Sequence, residues 1–286
     1  MRVQPGWRLG GSMPGFALCT GSFVLFLDSD DTLDPTAIAR CVSLLKDDIS
    51  KVQFRLRTID ADGKPLGGFV PYIMHDGKVR NIIEKFGHYA GPPASGNFYR
   101  HSAIAAYFPM PAAHWKRASD TVPFLLSALH GQVVSIDAPL GSYRLHQRAN
   151  SKTGLLGNMN KSIADGLINE VERRDAALAL LQERASIQVL GPFLLAPTAM
   201  RCRALSWKLE PALYPYPHES AGRLLQEFVQ SIDAWPGYNR KERLAMRLWM
   251  TVVAYAPRWL VAKIAAGNNS GGIRSLLKKL AGAKTS

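Results

Sequence analysis

Residues 23–27, Phe-Val-Leu-Phe-Leu, are an unbroken apolar run that stops at Asp28, and four of the seven residues from Asp28 to Asp34 are aspartates. The run is rich in β-forming side chains and follows a Gly21-Ser22 turn signal, which predicts a short strand buried on both faces, as inside a parallel sheet. Carboxylates crowded at the end of such a strand repel one another and are poorly solvated. A cation relieves both problems, and oxygen ligands of this kind suit Mg²⁺ or Mn²⁺. The carboxyl end of a strand is also where open α/β sheets bind ligands. Asp34 and Pro35 have a simpler reading, as N-cap and first residue of a helix over 36–45. Asp28, Asp30 and Asp31 remain, and their alternative is an acidic turn that binds nothing.

The stretch around this run sets the class. With 286 residues, 47% of them hydrophobic, the chain can bury one large core or two small ones. Upstream, residues 9–27 lack charge, but Gly10, Gly11, Pro14, Gly15 and Gly21 interrupt any helix, which argues against a signal or spanning segment. Downstream, residues 52–59 alternate apolar and polar, predicting a strand with one wetter face. A turn at residues 60–64 and a returning arm over 66–73 follow. A short helix is predicted over 81–86, a breaker-rich loop over 91–97 and a further segment over 98–106. Ser119 is expected to cap a helix over 120–129, and two strands are expected on either side of Pro139, over 133–136 and 141–146. Beyond Asn150 the pattern turns helical, over 163–185, 220–234, 239–255 and 272–281. Interleaved strands and helices followed by helices alone describe an α/β region with a helical appendix. The expected boundary gives domains of residues 1–151 and 152–286.

The motifs carry a resemblance. In order come the Gly21-x-x-Val-Leu-Phe-Leu-Asp28-Ser-Asp30-Asp31-x-Leu-x-Pro35 stretch, the Asp60-x-Asp-Gly-Lys turn and the Ser95-Gly96-Asn97 loop backed by Tyr99 and Arg100. Then come Asp120 at a helix start and Tyr143-Arg144-x-His146-x-x-x-Asn150-Ser. This series resembles the family 2 glycosyltransferases of the GT-A fold. The resemblance implies a partial GT-A-like, Rossmann-like mixed sheet with a C-terminal helical region. It also implies Asp30 as the metal ligand with Asp28 beside it, and Asp28, Asp31 and His146 on the donor's diphosphate and ribose side. Asp120 would be the general base, and Ser95, Gly96, Asn97 and Arg144 would shape the substrate pocket. The cofactor would be Mn²⁺ or Mg²⁺, and the reaction transfer of a sugar from a nucleotide-sugar donor to a surface-glycan or lipid-linked acceptor, with inversion.

Two other readings stand beside it. The Asp28-Ser-Asp30 pair is also similar to the first motif of haloacid-dehalogenase-type phosphatases, with Asp28 as nucleophile and Asp30 as acid/base, although the later lysine and paired-acid motifs of that family are not found. A transferase remnant without catalysis is the third reading. In the family the Asp-x-Asp strand follows nucleoside-binding strands; here only a short Gly/Pro-rich lead precedes it. The expectation is therefore a truncated product whose apolar sheet edge is exposed or covered by another segment or chain.

Charge points to partners. The net charge is +13 with a pI near 9.8, which calls for an anionic partner. Ten Lys and Arg stand against Glu242 alone from Ala234 onward. Residues 244–265, with Trp249 and Trp259, are too short between their flanking arginines to span a bilayer, and suit either a helix lying on an anionic membrane or a packed helical subdomain with a solvated basic face. No nucleic-acid reading motif accompanies the charge. Cys19, Cys41 and Cys202 have no metal spacing, so the cytoplasm, at the inner face of the membrane, is the expected location, with Cys41 as a buried apolar residue.

Overall fold

The computed structural model describes residues 12–110, 119–146, 162–189, 191, 193–216 and 218–267. The expected helix over 272–281 and the Asn150-Ser151 motif lie outside the described residues. The chain divides into two compact units, residues 1–146 with 172–193 and residues 147–171 with 194–286.

The first unit is built on a six-stranded mixed sheet. After α1 (Ser12–Ala17) come β1 (Phe23–Leu25), β2 (Thr32–Leu33), α2 (Ala37–Val42), β3 (Ile49–Ile59), β4 (Pro65–Val70) and α3 (Arg80–Phe86). Then follow β5 (Asn97–Arg100), α4 (His101–Ile104), α5 (Thr121–Ser127) and β6 (Gln132–Arg144). The strand order is β1-β5-β3-β6-β2, with β4 pairing the far half of β3. β3 and β6 run parallel at the centre, and every other pair is antiparallel. One face of β3, Val52, Phe54 and Leu56, buries itself with Cys41, Phe98 and Ile136. α3 and α5 pack with Ala177, Leu180 and Leu181 of α6 (Ile163–Ala185) into a second cluster around Tyr89, Tyr107 and Val133.

Several expectations change here. β1 is not a buried central parallel strand. It is a short edge strand, antiparallel to β5, with Val24 buried, Phe23 and Leu25 half-buried and Leu27 47% exposed. Its apolar character comes from aromatic packing, Phe23 on Phe98 and Phe26 beside Phe16 and Phe108, rather than from flanking parallel strands. Asp34 does not cap α2. Thr36 holds the N-cap position without a side-chain bond, while Asp34 makes a two-pronged ion pair with Arg57, at 2.9 and 2.8 Å. The two strands expected around Pro139 are one, because the missing Pro N–H is accommodated where the β3–β6 register slips between Phe54↔Ile136 and Arg55↔Pro139. The N-cap position of α5 falls on Asp120 rather than Ser119. The wetter face of β3 is wet only toward its end: Gln53 is fully buried, and the Arg57 side chain is 43% exposed.

The second unit is helical. The start of α6 is followed by α7 (Pro197–Leu209), α8 (Ala221–Ala234), α9 (Arg240–Tyr255) and α10 (Arg258–Gly267). Ser220 caps α8 by accepting from Arg223 N–H, and Asn239 with Glu242 forms a capping box on α9. Their inward faces, Leu224, Phe228, Ile232, Met246, Met250 and Val253, form one core with Ala204 and Leu205. The periodicity did not single out α7 or α10. Pro197 at the start of α7 and Pro257 before α10 are the local signals, since proline is tolerated at helix starts and ends the helix before it. Among the described residues no helix is long and apolar enough to cross a membrane.

Candidate active site

The acidic turn begins where β1 ends. Asp31 N–H donates to Asp28 carbonyl oxygen at 3.1 Å, closing a turn that projects three carboxylates within four residues. β2 then carries the chain along β6, pairing Leu33 with Gly141. Gly141 is required by this approach, because a β-carbon there would stand 2.4 Å from Thr32 carbonyl oxygen.

Ser95 holds the turn from behind. Its hydroxyl accepts from Asp28 N–H at 3.0 Å and donates to Asp31 Oδ2 at 2.7 Å. Arg144, at the end of β6, completes the hold. Its N–H donates to Asp31 Oδ1 at 2.9 Å, and its guanidinium donates to the carbonyl oxygens of Asp30, Asp60 and Ala61 at 2.8–3.1 Å. Both oxygens of the buried Asp31 are therefore occupied by protein donors. His146 Nε2 lies 2.6 Å from Asp30 Oδ2. The Asp60 turn that Arg144 grips is itself closed by Asp60 Oδ1, which accepts from Asp62 and Lys64 N–H.

The electrostatics follow from this crowding. Asp28 is raised to about 6, first by burial of its surroundings and then by the charges of Asp120, Asp31 and Asp30. The Asp28 carboxylate meets solvent, but the protein mass and like charge around it disfavour ionisation. Asp31 is also raised, by desolvation that outweighs its bonds from Arg144 and Ser95. Asp120, on a different element and far along the chain, is raised by desolvation, against the pull of Arg173 and of the first N–H groups of α5. Tyr143 is pushed up to about 12 by burial and by the four carboxylates together. The structure thus brings Asp28, Asp30, Asp31 and Asp120 into one electrostatic cluster, with Arg144 and His146 at its side.

Ser95, Gly96 and Asn97 are all buried, and their polar side-chain atoms are spent on the protein itself. Asn97 Nδ2 donates to Pro93 carbonyl oxygen at 2.8 Å, and Asn97 Oδ1 accepts from Lys51 Nζ at 2.8 Å. Gly96 leaves no room for a β-carbon, which would stand 2.8 Å from Phe54 carbonyl oxygen. Lys51 was not legible as part of this arrangement. Its ammonium is fully buried against the rings of Phe124 at 4.1 Å and Tyr89 at 4.9 Å, and desolvation holds it well below the usual lysine value. The one sequence signal was its in-phase spacing with Gln53, which donates to His75 carbonyl oxygen and Ser135 Oγ.

The donor set is carboxylate oxygen, which suits a hard divalent cation. Among the described residues no three His, Cys, Asp or Glu converge into a ready metal cage. Magnesium is commonly held by one or two carboxylates with the remaining ligands from water and substrate phosphates, so Asp30 with Asp28 fits that mode of binding. Asp31, saturated by Ser95 and Arg144, is a support.

Residues 6–108 match the family described as glycosyl transferase family 2. An uncharacterized glycosyltransferase from Nostoc sp. is 29% identical over 142 residues, which are 48% of this chain and 44% of that protein. The chain thus spans less than half the length of the curated relative it matches. The matched region contains β1, the acidic turn and Ser95, within a mixed sheet of the partial GT-A-like kind. Residues 6–108 are therefore similar to a family 2 glycosyltransferase domain.

Proposed function

We propose that this domain is a metal-dependent, inverting glycosyltransferase that moves a sugar from a nucleotide-sugar donor to a surface-glycan or lipid-linked acceptor at the cytoplasmic face of a membrane. The observation that carries the reading is that the charge of Asp120, a carboxylate contributed by a distant helix start, acts on Asp28 beside Asp30 and Asp31 in the acidic turn.

Asp120 is the general base. Its raised pKa makes it a better proton acceptor than an ordinary aspartate, which is what deprotonating a sugar or lipid-phosphate hydroxyl group demands. The acceptor oxygen attacks the anomeric carbon as its proton passes to Asp120. The bond from that carbon to the diphosphate oxygen breaks, and the electron pair leaves with the nucleoside diphosphate. Asp30 with Asp28 would hold Mg²⁺ or Mn²⁺, which would supply positive charge against the departing diphosphate. His146 orients Asp30 through the 2.6 Å contact, and Arg144 with Ser95 fixes the turn so that the carboxylates need not reorganise.

Thermal-shift titration with UDP, GDP and dTDP and their sugars, with and without Mn²⁺, tests the reading. A metal-dependent rise in Tm that Asp30→Asn abolishes supports it, and Asp120→Asn should keep that rise while losing transfer. No shift with any nucleotide in the parent chain would leave a non-catalytic remnant. Hydrolysis of a simple phosphate ester dependent on Asp28 would instead mark a phosphatase.

A further inference from the structure

α9 carries two opposite faces. Met246, Trp249, Met250 and Val253 are buried in the helical core. On the other side Leu244, Leu248, Val252 and Tyr255 are exposed, at 58, 57, 39 and 63%. At 100° per residue these four fall within an arc of roughly 80°, so they form one apolar stripe rather than scattered surface residues. Just past Pro257, Trp259 on α10 is likewise 60% exposed. Isolated exposed leucines need no explanation, but an apolar row along one helix face, with an exposed Tyr255 in it and an exposed Trp259 a few residues on, does.

The charged side chains that α9 and α10 place along the stripe are mainly basic. Arg240, Lys241 and Arg247 flank it on α9, and Lys263 Nζ sits 5.3 Å from the Trp259 ring centroid on α10. Arg247 is paired with Asp233 at 2.5 Å, while Glu242, the one acid on either helix, is spent on the capping box. An apolar row with Tyr and Trp at one end and Lys and Arg along its borders matches the layered chemistry of a bilayer interface. Acyl chains accept the leucines, the headgroup zone accepts the aromatic rings, and anionic headgroups accept the cations.

We infer that the exposed face of α9 and α10 is a membrane-docking surface that lies in the interface of a bilayer rich in anionic lipid. This deepens the membrane contact of the proposed function by naming its surface and does not depend on the donor chemistry.

Co-sedimentation of the full chain with vesicles tests it, comparing phosphatidylcholine alone with an equal mixture of phosphatidylcholine and phosphatidylglycerol. Binding should be strong only to the mixed vesicles and should weaken as NaCl is raised. Leu248→Ser with Trp259→Ser should lower the partition coefficient roughly tenfold or more, since each residue withdraws apolar area from the bilayer. Lys241→Glu with Lys263→Glu should do the same without touching the apolar row. Both double variants should keep the parent's Tm and nucleotide response, so failure here is separable from failure of the transferase reading. Equal binding to both vesicle types, or undiminished binding by the variants, overturns the inference. Self-association without lipid that Leu248→Ser abolishes would also overturn it, making the stripe a contact between copies.

Discussion

Ser95 Oγ donates to Asp31 Oδ2 at 2.7 Å while accepting Asp28 N–H at 3.0 Å, so one hydroxyl sets the geometry of the acidic turn. Asp31 is 7% exposed, and without Ser95 one of its oxygens would lose its donor inside the protein. Ser95→Ala should therefore cost about 1–3 kcal/mol of stability, the usual price of an orphaned buried acceptor. Loss of transfer should exceed what that destabilisation explains, because Asp28 and Asp31 are both released. Tm and initial transfer rates on the same preparations check this; parent-like rates would show that the turn holds without the hydroxyl.

Gly141→Ala probes the same turn from the other side. The added methyl would meet Thr32 carbonyl oxygen at 2.4 Å, against backbone that cannot swing aside, so β2 must shift from β6. The carboxylates precede β2 directly, so the shift should weaken Mn²⁺-dependent nucleotide binding. Calorimetric titration would read the loss as a raised Kd.

Lys51 gives a pH signature. Its folded pKa lies well below the ordinary lysine value of 10.5, so in alkaline solution the unfolded chain holds a proton that the folded chain does not. Stability contributed by this group therefore rises with pH between the two values, up to 10.5. Lys51→Met should flatten that rise in urea denaturation across alkaline pH, and should also free Asn97 Oδ1 from its only side-chain donor among the described residues. An unchanged pH slope in the variant would refute the assignment.

Asp34 works in the opposite direction. Its pKa is lowered by the hydrogen bonds and charge of Arg57, so its contribution is fully present above the ordinary aspartate range and is lost as pH falls through the folded value. Both partners are partly exposed, which limits the pair to about 0–1 kcal/mol. Asp34→Asn should remove a small part of the acid-side loss of stability and leave neutral-pH nucleotide binding intact, as paired acid titrations followed by circular dichroism would show.

In the helical unit, Arg203 is buried between Glu219 and Glu227 and also donates to Tyr214 Oη. Arg203→Met should destabilise this unit by ~3–5 kcal/mol, because the buried Glu219 would lose its close ion partner and keep only Arg223 at 3.8 Å. The double variant Arg203→Met with Glu219→Leu should recover most of the loss. Urea denaturation followed by tryptophan fluorescence reads both.

Local pattern carried much of this protein. The helix over 163–185, the capped starts at Ser220 and Asn239, the Asp60 turn and the returning arm after it are written in periodicity, side-chain oxygens at caps and glycine placement, all of which act over a few residues. The aspartates of the acidic turn were likewise legible, because charge repulsion at the end of an apolar run is a local fact. What the tertiary structure decided depends on groups far apart in the chain. An apolar run reads alike for a central and an edge strand, and only the antiparallel pairing with β5 made β1 an edge. Asp34 had a local reading as a cap, but Arg57, brought alongside by the sheet, offered its carboxylate two charged hydrogen bonds. Lys51 is enclosed by α5 and Tyr89, which meet it only in the folded sheet. The charge of Asp120, at a helix start, acts on Asp28, past a strand end, and the raised pKa of Asp120 arises from burial that no local window contains.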